Sequence, residues 1–469
     1  MKVCLMCEGS YPYVTGGVSS WIHMIMTSMP DIEFYVSSIV VDRAHGGQFK
    51  YRMPPNLISI NEIYLQDSDF IKSEKRLRMS KKQVEAFRSF ILGKDIDWAT
   101  IFDFFANNNV SVNSLLMGPD LLDLIREYYY TNYEKLPFSD FLWTYRSMLL
   151  PLCVLLKNEL PKADIYHTAS TGYAGVLACV AKYLYNKPAI LTEHGIYTRE
   201  REEEVIRSSF FNGVYKDIWI DHFYKLSSCA YSYSDVIISL FEKARQLQIE
   251  LGCREEKTMI IPNGVDANKF DNALKKDPDD HHINIGMIAR ISPIKDVKTM
   301  ISSYAAAKEK VPNLALYVMG GVENDYKAYY DECYDLVTNL GLKDVYFTGN
   351  INVNDYIDKM DMLILTSISE GQPLAILEGM AARKPFIATR VGNCEGLILG
   401  EKDGDLPCGI ITPIMSVKDI SAAIIELAND EEKRKVYGEN GRKRVEERYP
   451  RREIIWKYEN LYRSMFIDK

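Results

Sequence analysis

Short apolar runs alternate along this chain with segments whose apolar residues recur at helical spacing. Strand-like runs occupy 2–7, 34–41, 164–167, 188–192, 235–240 and 259–261, with helical stretches between most of them, as at 173–186 and 241–251. The charged, proline-containing stretch ALKKDPDDHH (273–282) reads as a linker. A second series of strands follows at 283–289, 314–319, 344–348, 361–366, 385–389 and 409–412. Continuous apolar strands separated by helices predict mostly parallel sheets covered on both faces. The expected architecture is therefore α/β, with two doubly wound Rossmann-like domains at 1–272 and 283–445 and a final amphipathic helix within 446–469. Residues 62–150 break the alternation. They show helical spacing without clear strands and read as a helical insertion in the first domain, serving either as packing or as a surface for an acceptor or partner. Tyr128, Tyr129, Tyr130, Tyr133, Trp143 and Tyr145 suit both roles, because aromatic side chains build cores and also stack on sugars.

The densest chemistry lies at 361–382, DMLILTSISEGQPLAILEGMAA. An apolar strand runs into a polar loop that opens a helix near Pro373, a residue tolerated at a helix start. Backbone N–H groups at such a start carry partial positive charge and suit an anion. Glu370 on the loop and Glu378 on the helix bracket that point, and a phosphate between two hydroxyl-binding carboxylates describes a nucleotide-sugar. Strand 2–7 leads to Gly16 and Gly17, a turn through which backbone can approach a diphosphate closely. The spacing is not the dinucleotide GxGxxG, which counts against a dehydrogenase. Arg290 and Lys295, in IARISPIKD, are expected to converge on a diphosphate. His194 in TEHG follows strand 188–192, and His167 in YHTAS is similarly placed, with site and core roles both open. PNGVD (262–266) reads as a positioning turn.

Composition narrows the partners. A formal net charge of −8 over 469 residues argues against nucleic acid. Nine cysteines, an odd number, suggest reduced thiols, not a disulfide framework or zinc site. No signal peptide is evident, and the apolar stretch MLLPLCVLL (148–156) is shorter than the ~20 residues of a membrane span. Three Asp-x-Asp pairs, Asp67/Asp69, Asp95/Asp97 and Asp403/Asp405, do not follow strands at the expected edge. The cations and the helix start supply positive charge without a metal, so no metal and no cofactor are expected.

The Glu-x7-Glu pattern with its Gly-x-Pro-Leu core resembles that of the retaining glycosyltransferases of family 4. GGVSSW (16–21), TEHG (192–195), PNGVD (262–266) and ARISPIKD (289–296) agree with that family in order. MCEGSYPYVTGGVSSWI and TEHGIYTREREEE look closest to the PelF-type branch, which builds exopolysaccharide from UDP-sugars. The resemblance implies the GT-B fold, two Rossmann-like domains facing a cleft, with the final helix crossing back to the first. It implies donor contacts from Gly16, Gly17, Arg290, Lys295, Glu370, Gly371, Gln372, Pro373, Leu374 and Glu378. It also implies a base contact from the backbone of loop 349–355, at Asn350 and Ile351, and it places His194 beside the donor sugar. His194, Arg290, Lys295 and Glu370 are then the catalytic set. The implied activity is metal-independent transfer of a hexosyl group from a UDP-sugar, UDP-glucose first, to a growing polysaccharide acceptor. The implied place is the cytoplasm, peripheral at the inner membrane beside a synthase complex. A phosphorylase or epimerase on the same fold, a non-catalytic nucleotide-sugar sensor, and a scaffold subunit of a membrane synthase remain alternatives.

Overall fold

The computed structural model describes residues 1–467 apart from 41–42, 44–45, 66–76, 94, 109–110, 209–212 and 272–275. The chain divides into two units, Met1–Ile260 with Tyr458–Lys469, and Ile261–Lys457. Each has its own apolar core.

In the first unit the strands are β1 (Lys2–Glu8), β2 (Glu33–Val40), β3 (Leu57–Tyr64), β4 (Ile165–Thr168), β5 (Ala189–Glu193), β6 (Val236–Ser239) and β7 (Thr258–Ile260). They lie in the order β3-β2-β1-β4-β5-β6-β7, and every neighbouring pair is parallel. The central strands β4 and β5 are buried along their whole length, which is why they read as unbroken apolar runs. β3 departs from the expected pattern, and residues 62–64 belong to it and not to the insertion. It is an edge strand of mixed polarity, LISINEIY, with Ile63 alone deeply buried. Its pairing with β2 holds it in the sheet more than its own pattern does.

The insertion is helical from Lys81–Leu92 through Trp98–Asn107, Val112–Leu116, Pro119–Asn132 and Phe138–Leu156. Ser80 and Gln83 form a capping box at the first of these, and Asp97 and Ser111 cap the next two. The inner faces join one core with the helices that flank the sheet: Phe87, Phe90, Trp98 and Phe102 share a cluster with Leu177 and Leu226. Tyr129 and Tyr145 are buried within it, whereas Tyr130 and Trp143 are exposed.

The second unit contains β8 (Ile283–Ile288), β9 (Leu314–Met319), β10 (Val345–Gly349), β11 (Met362–Leu365), β12 (Phe386–Thr389) and β13 (Gly409–Thr412). The order is β10-β9-β8-β11-β12-β13, again all parallel. In each sheet the direction of strand addition reverses once, between β1 and β4 and between β8 and β11. Loops leaving the carboxyl ends of those strands diverge and open a crevice.

The division between units falls earlier than the sequence suggests. Val265 N–H donates to Tyr449 O, Arg451 N–H donates to Val265 O, and Phe270 sits in the second core, so residues after Ile260 belong with the second sheet. Of the expected linker, 273–275 lie outside the described residues. Lys276 and Asp280 are tied to the second sheet through Asp361 and Asn284. The C-terminal segment is also more divided than expected. One helix ends at Arg448, and a second, Arg451–Ile467, begins after Pro450, which cannot continue the ladder. Tyr458 and Tyr462 of that second helix are buried in the first unit. Among the described residues no helix is long and apolar enough to cross a membrane.

Candidate functional site

In the second unit the crevice is formed by the loops after β8 and β11. The latter, residues 366–373, is tied down at several points. Thr366 Oγ1 donates to the carbonyls of Lys295 and Asp296, at 3.1 Å each. Ile368 N–H donates to Ile294 O (2.8 Å), Thr389 Oγ1 to Ser367 O (2.6 Å) and Asn393 N–H to Gly371 O (2.9 Å). Glu370 is consequently fixed. Its Oε1 accepts from Ser367 Oγ (2.6 Å) and pairs with Lys295 Nζ at 2.5 Å, with side chains only 10% and 21% exposed. The loop ends in the helix Leu374–Ala381, whose N-cap is Pro373, one position before the first turn.

That helix start has no side-chain cap. Asp296, Ser416 and Asp430 cap Val297–Lys308, Val417–Asn429 and Glu431–Arg448, whereas Lys327–Asn339 and Cys394–Leu399 also start without a side-chain cap. The first-turn amides after Pro373 therefore keep their partial positive charge for something else. Glu378, the fifth residue of the helix, is half-buried. Burial pushes its carboxyl above the usual range against the opposing charges of Lys269 and Arg451. Among the described residues no hydrogen bond or ion pair satisfies that carboxylate.

Arg290 does not join Lys295 on a shared partner, as the spacing had suggested. Its guanidinium pairs with Glu323 at the surface, the two side chains being 48% and 41% exposed. Glu323 follows β9, and the two loops are in register through Ile291 and Val322. The packing here is close: a Cβ on Gly320 would lie 1.9 Å from the backbone Ala289 O, and one on Gly321 would lie 2.4 Å from the side-chain Oδ1 of Asn350. Gly320 and Gly321, an adjacent glycine pair just after β9, were missed in the sequence; Gly16 and Gly17 were read instead as a turn opening a helix. Asn350 is exposed and Ile351 packs on the core beside them.

The first unit has a different character. Gly16 is the uncapped N-cap of the helix Gly17–Ser28, in extended backbone that any residue adopts. The helix brings Trp21 edge-on to His194, with ring centroids 4.7 Å apart. His194 follows β5, with Nε2 shut off from solvent and without a hydrogen-bond partner. Burial lowers its pKa to about 4. His167 proves to be a core residue. Nδ1 is 2.6 Å from Tyr462 OH and Nε2 is 2.8 Å from Thr192 Oγ1, so both ring nitrogens are spent. Burial, with His194 nearby, lowers its pKa to about 3.

Two carboxylates that close strands also went unread in the sequence. Glu8, at the end of β1, accepts from Tyr197 OH (2.9 Å) and Ala174 N–H (3.2 Å), with Arg201 Nη2 at 3.7 Å. Glu193, at the end of β5, is buried among Gln248 Nε2 (2.9 Å), Tyr231 OH (2.9 Å), Tyr197 N–H (3.1 Å) and Thr171 Oγ1 (3.4 Å). Burial raises its pKa.

In each Asp-x-Asp pair that lies among the described residues, one aspartate has structural work. Asp97 caps the helix Trp98–Asn107. Asp405 accepts from Arg448 Nη1 (2.8 Å) and from the amides of Glu401 and Lys402, which hold its carboxyl far below the usual range. Asp67 and Asp69 lie outside the described residues. All nine cysteines are buried and unpaired.

Comparison with known proteins adds a family to this geometry. Residues 1–256 match a domain of unknown function, DUF3492, and residues 268–444 match glycosyl transferases group 1. An Escherichia coli UDP-Gal:alpha-D-GlcNAc-diphosphoundecaprenol alpha-1,3-galactosyltransferase is 26% identical over 337 residues, which are 68% of this chain and 80% of that enzyme. The Staphylococcus aureus capsular polysaccharide biosynthesis glycosyltransferase CapM is 25% identical over 331 residues, 67% of this chain and 80% of CapM. Among solved structures, HepE of Anabaena in complex with UDP aligns with a TM-score of 0.63 at 16% identity, over 99% of this chain and 100% of that one. Sucrose-phosphate synthase of Thermosynechococcus elongatus aligns with a TM-score of 0.65 at 14% identity over the whole of both chains. At such identities these two likenesses speak to the fold, which is that of GT-B enzymes.

Proposed function

This chain belongs to the DUF3492 family and is, through its second half, a group 1 glycosyltransferase; from that premise we propose that it transfers a hexosyl group from a UDP-sugar, UDP-glucose, to a growing polysaccharide with retention of anomeric configuration. The observation that carries the donor reading is the second crevice. A mostly buried pair between Lys295 and Glu370, an uncapped helix start at Pro373 and the half-buried Glu378, without a hydrogen bond or ion pair among the described residues, come together around the loop after β11 and the helix it opens.

The donor diphosphate binds at the amides after Pro373, with Lys295 and Arg290 supplying charge. Glu378 accepts the ribose hydroxyls, which satisfies a carboxylate left without a hydrogen bond among the described residues, and backbone at Asn350 and Ile351 meets the base. Glu370 and His194 address the sugar. At a pKa of about 4, His194 is neutral near pH 7, so it serves as a hydrogen-bond partner for a hydroxyl and not as a cation. In the transfer, the bond from the anomeric carbon to the diphosphate oxygen breaks and a bond to the acceptor oxygen forms on the same face. The acceptor's proton passes to the departing phosphate, and the lysine, the arginine and the helix amides stabilise its developing charge. No metal enters this scheme. The PelF-type likeness and the naming of CapM for capsular polysaccharide biosynthesis favour an exopolysaccharide acceptor at the cytoplasmic side of the membrane.

Calorimetry in EDTA tests the donor. UDP should bind at least about tenfold more tightly than GDP or ADP, a difference of 1.4 kcal/mol. Equal affinities, or a strict need for manganese or magnesium, would defeat this reading.

A further inference from the structure

The turn PNGVD, 262–266, touches the anion loop through Asn263. Asn263 is buried, and it makes two hydrogen bonds to one residue 109 positions away. Its backbone N–H donates to Gln372 Oε1 (2.6 Å) and its Nδ2 donates to Gln372 O (3.0 Å). Together the two bonds fix both the side chain and the main chain of the residue just before Pro373. They also orient both amides, since each has one end committed. On the other flank, Gly392 and Asn393 close on the same loop. Gly392 has a φ of +50°, and a Cβ there would lie 2.1 Å from Glu370 O and 2.4 Å from Gly371 O. Asn393 N–H takes the Gly371 carbonyl.

The turn is itself anchored. A Cβ on Gly264 would come within 2.8 Å of Ile454 Cγ1 and 2.9 Å of the Arg451 backbone, so no other residue fits that approach without displacement. Val265 exchanges backbone hydrogen bonds with Tyr449 and Arg451. The chain thus runs from a rigid anchor, through Asn263, to the carbonyl and side chain of Gln372.

We propose that Asn263 is a positioning residue for the donor site: it fixes the Gln372–Pro373 backbone so that the first-turn amides of the helix Leu374–Ala381 are preorganised for an anion. The proposal rests on the donor reading given above but reaches a residue that reading does not use. A loop that must be ordered on binding charges its conformational entropy against affinity, whereas one held in place does not. Gln372 Nε2 and Asn263 Oδ1 are buried without partners, so the contact is kept at some cost in unsatisfied polar atoms.

The experiment compares the unaltered chain with Asn263→Ala and Asn263→Asp. The aspartate keeps the size of the side chain but cannot donate to Gln372 O. Hydrogen exchange is followed at the peptide spanning 367–377 without ligand, together with UDP affinity by calorimetry. Both variants should speed exchange at that peptide while peptides of β1, β4 and β5 are unchanged. Both should weaken UDP about tenfold, or 1.4 kcal/mol. Unchanged exchange at 367–377, or a lowered Tm with UDP affinity within twofold, overturns the proposal and makes Asn263 a folding residue only. If the unaltered chain binds no UDP while Asn263→Ala still frees the loop, the donor reading fails and the positioning role stands.

Discussion

The carboxyl edges of the two sheets are built from similar residue types and use them in opposite ways. At the first, Glu8, Glu193 and His167 are spent on partners within the chain, and His194 keeps a buried Nε2 without a hydrogen-bond partner among the described residues. At the second, Lys295 and Arg290 each hold a carboxylate that can be exchanged, the helix start is uncapped, and Glu378 has no hydrogen bond or ion pair among the described residues. The first edge suits a neutral hydroxylated ligand, which asks for shape and a few hydrogen bonds. The second suits an anion, which needs charges free to change partner. The difference separates residues that make the fold from residues the fold leaves available, and that is more telling than their identity.

The sharpest way to break this comparison is to remove one polar side chain from each edge, the charged Lys295 and the neutral His194. Lys295→Ala should weaken UDP binding by roughly 10- to 100-fold, because a charge-assisted hydrogen bond in a partly buried site is worth about 1.5–3 kcal/mol. His194→Ala should leave UDP affinity within about twofold and lower transfer instead. Titration calorimetry and a donor-turnover assay on both variants decide it, and equal losses of UDP affinity would erase the distinction between the edges.

Acid should divide the units in a second way. His167, His194 and His222 are held by burial at pKa values of about 3, 4 and 3, against about 6.5 when unfolded. Between those values the unfolded chain binds more protons, so their contribution is complete above pH 6.5 and is lost as pH falls toward 4. Glu193, with its raised pKa, acts in the opposite sense, but it is one group against three. In the second unit Asp280, lowered to about 2 chiefly by hydrogen bonds from Asn284 and His282 against the cost of burial, loses its contribution only below about pH 4. The first unit should lose about 2 kcal/mol or more between pH 7 and pH 5. Trp21, Trp98 and Trp219 report on it by fluorescence in urea titrations. A first unit equally stable at both pH values would show that the histidines are not held neutral.

Glu378 sharpens the contrast through opposite signs. A carboxylate that is partly desolvated and unpaired opposes folding, so Glu378→Gln should raise stability by on the order of 1 kcal/mol. It should also weaken UDP, since amide nitrogen cannot accept from a hydroxyl. Thermal melts and calorimetry on the same preparation test both halves. A variant that is less stable would mean the carboxylate already has a stabilising partner.

Much of this architecture was legible because parallel strands buried on both faces must be apolar throughout. β4, β5, β11 and β12 stand out for that reason. β3 did not, because an edge strand with one covered face need not be apolar, and its register comes from β2. The anion loop was legible as a local pattern of strand, glutamate, proline and helix. Its supports were not. Lys295 and Glu370 are 75 positions apart, and Asn263 and Gln372 are 109, so only the fold makes them neighbours. The two histidines looked alike in sequence, each near a strand's carboxyl end. What separated them was a tyrosine 295 positions from His167 that claims one of its ring nitrogens.

The gentlest test concerns Arg290 and its surface partner. In the absence of ligand the guanidinium is held by Glu323, so a diphosphate binding through Arg290 must displace a carboxylate. Both groups are more than two-fifths exposed, and an exposed pair of this kind is worth at most about 1 kcal/mol. Glu323→Gln should therefore tighten UDP by a factor of about two to five, with the larger gain at low salt, where screening is weaker. Arg290→Ala should weaken UDP, and combining it with Glu323→Gln should abolish the gain, because the glutamate acts only through the arginine. If Glu323→Gln tightened UDP equally well without Arg290, the effect would be a general change of field. If it weakened UDP, Glu323 would be holding the arginine toward the ligand and not away from it.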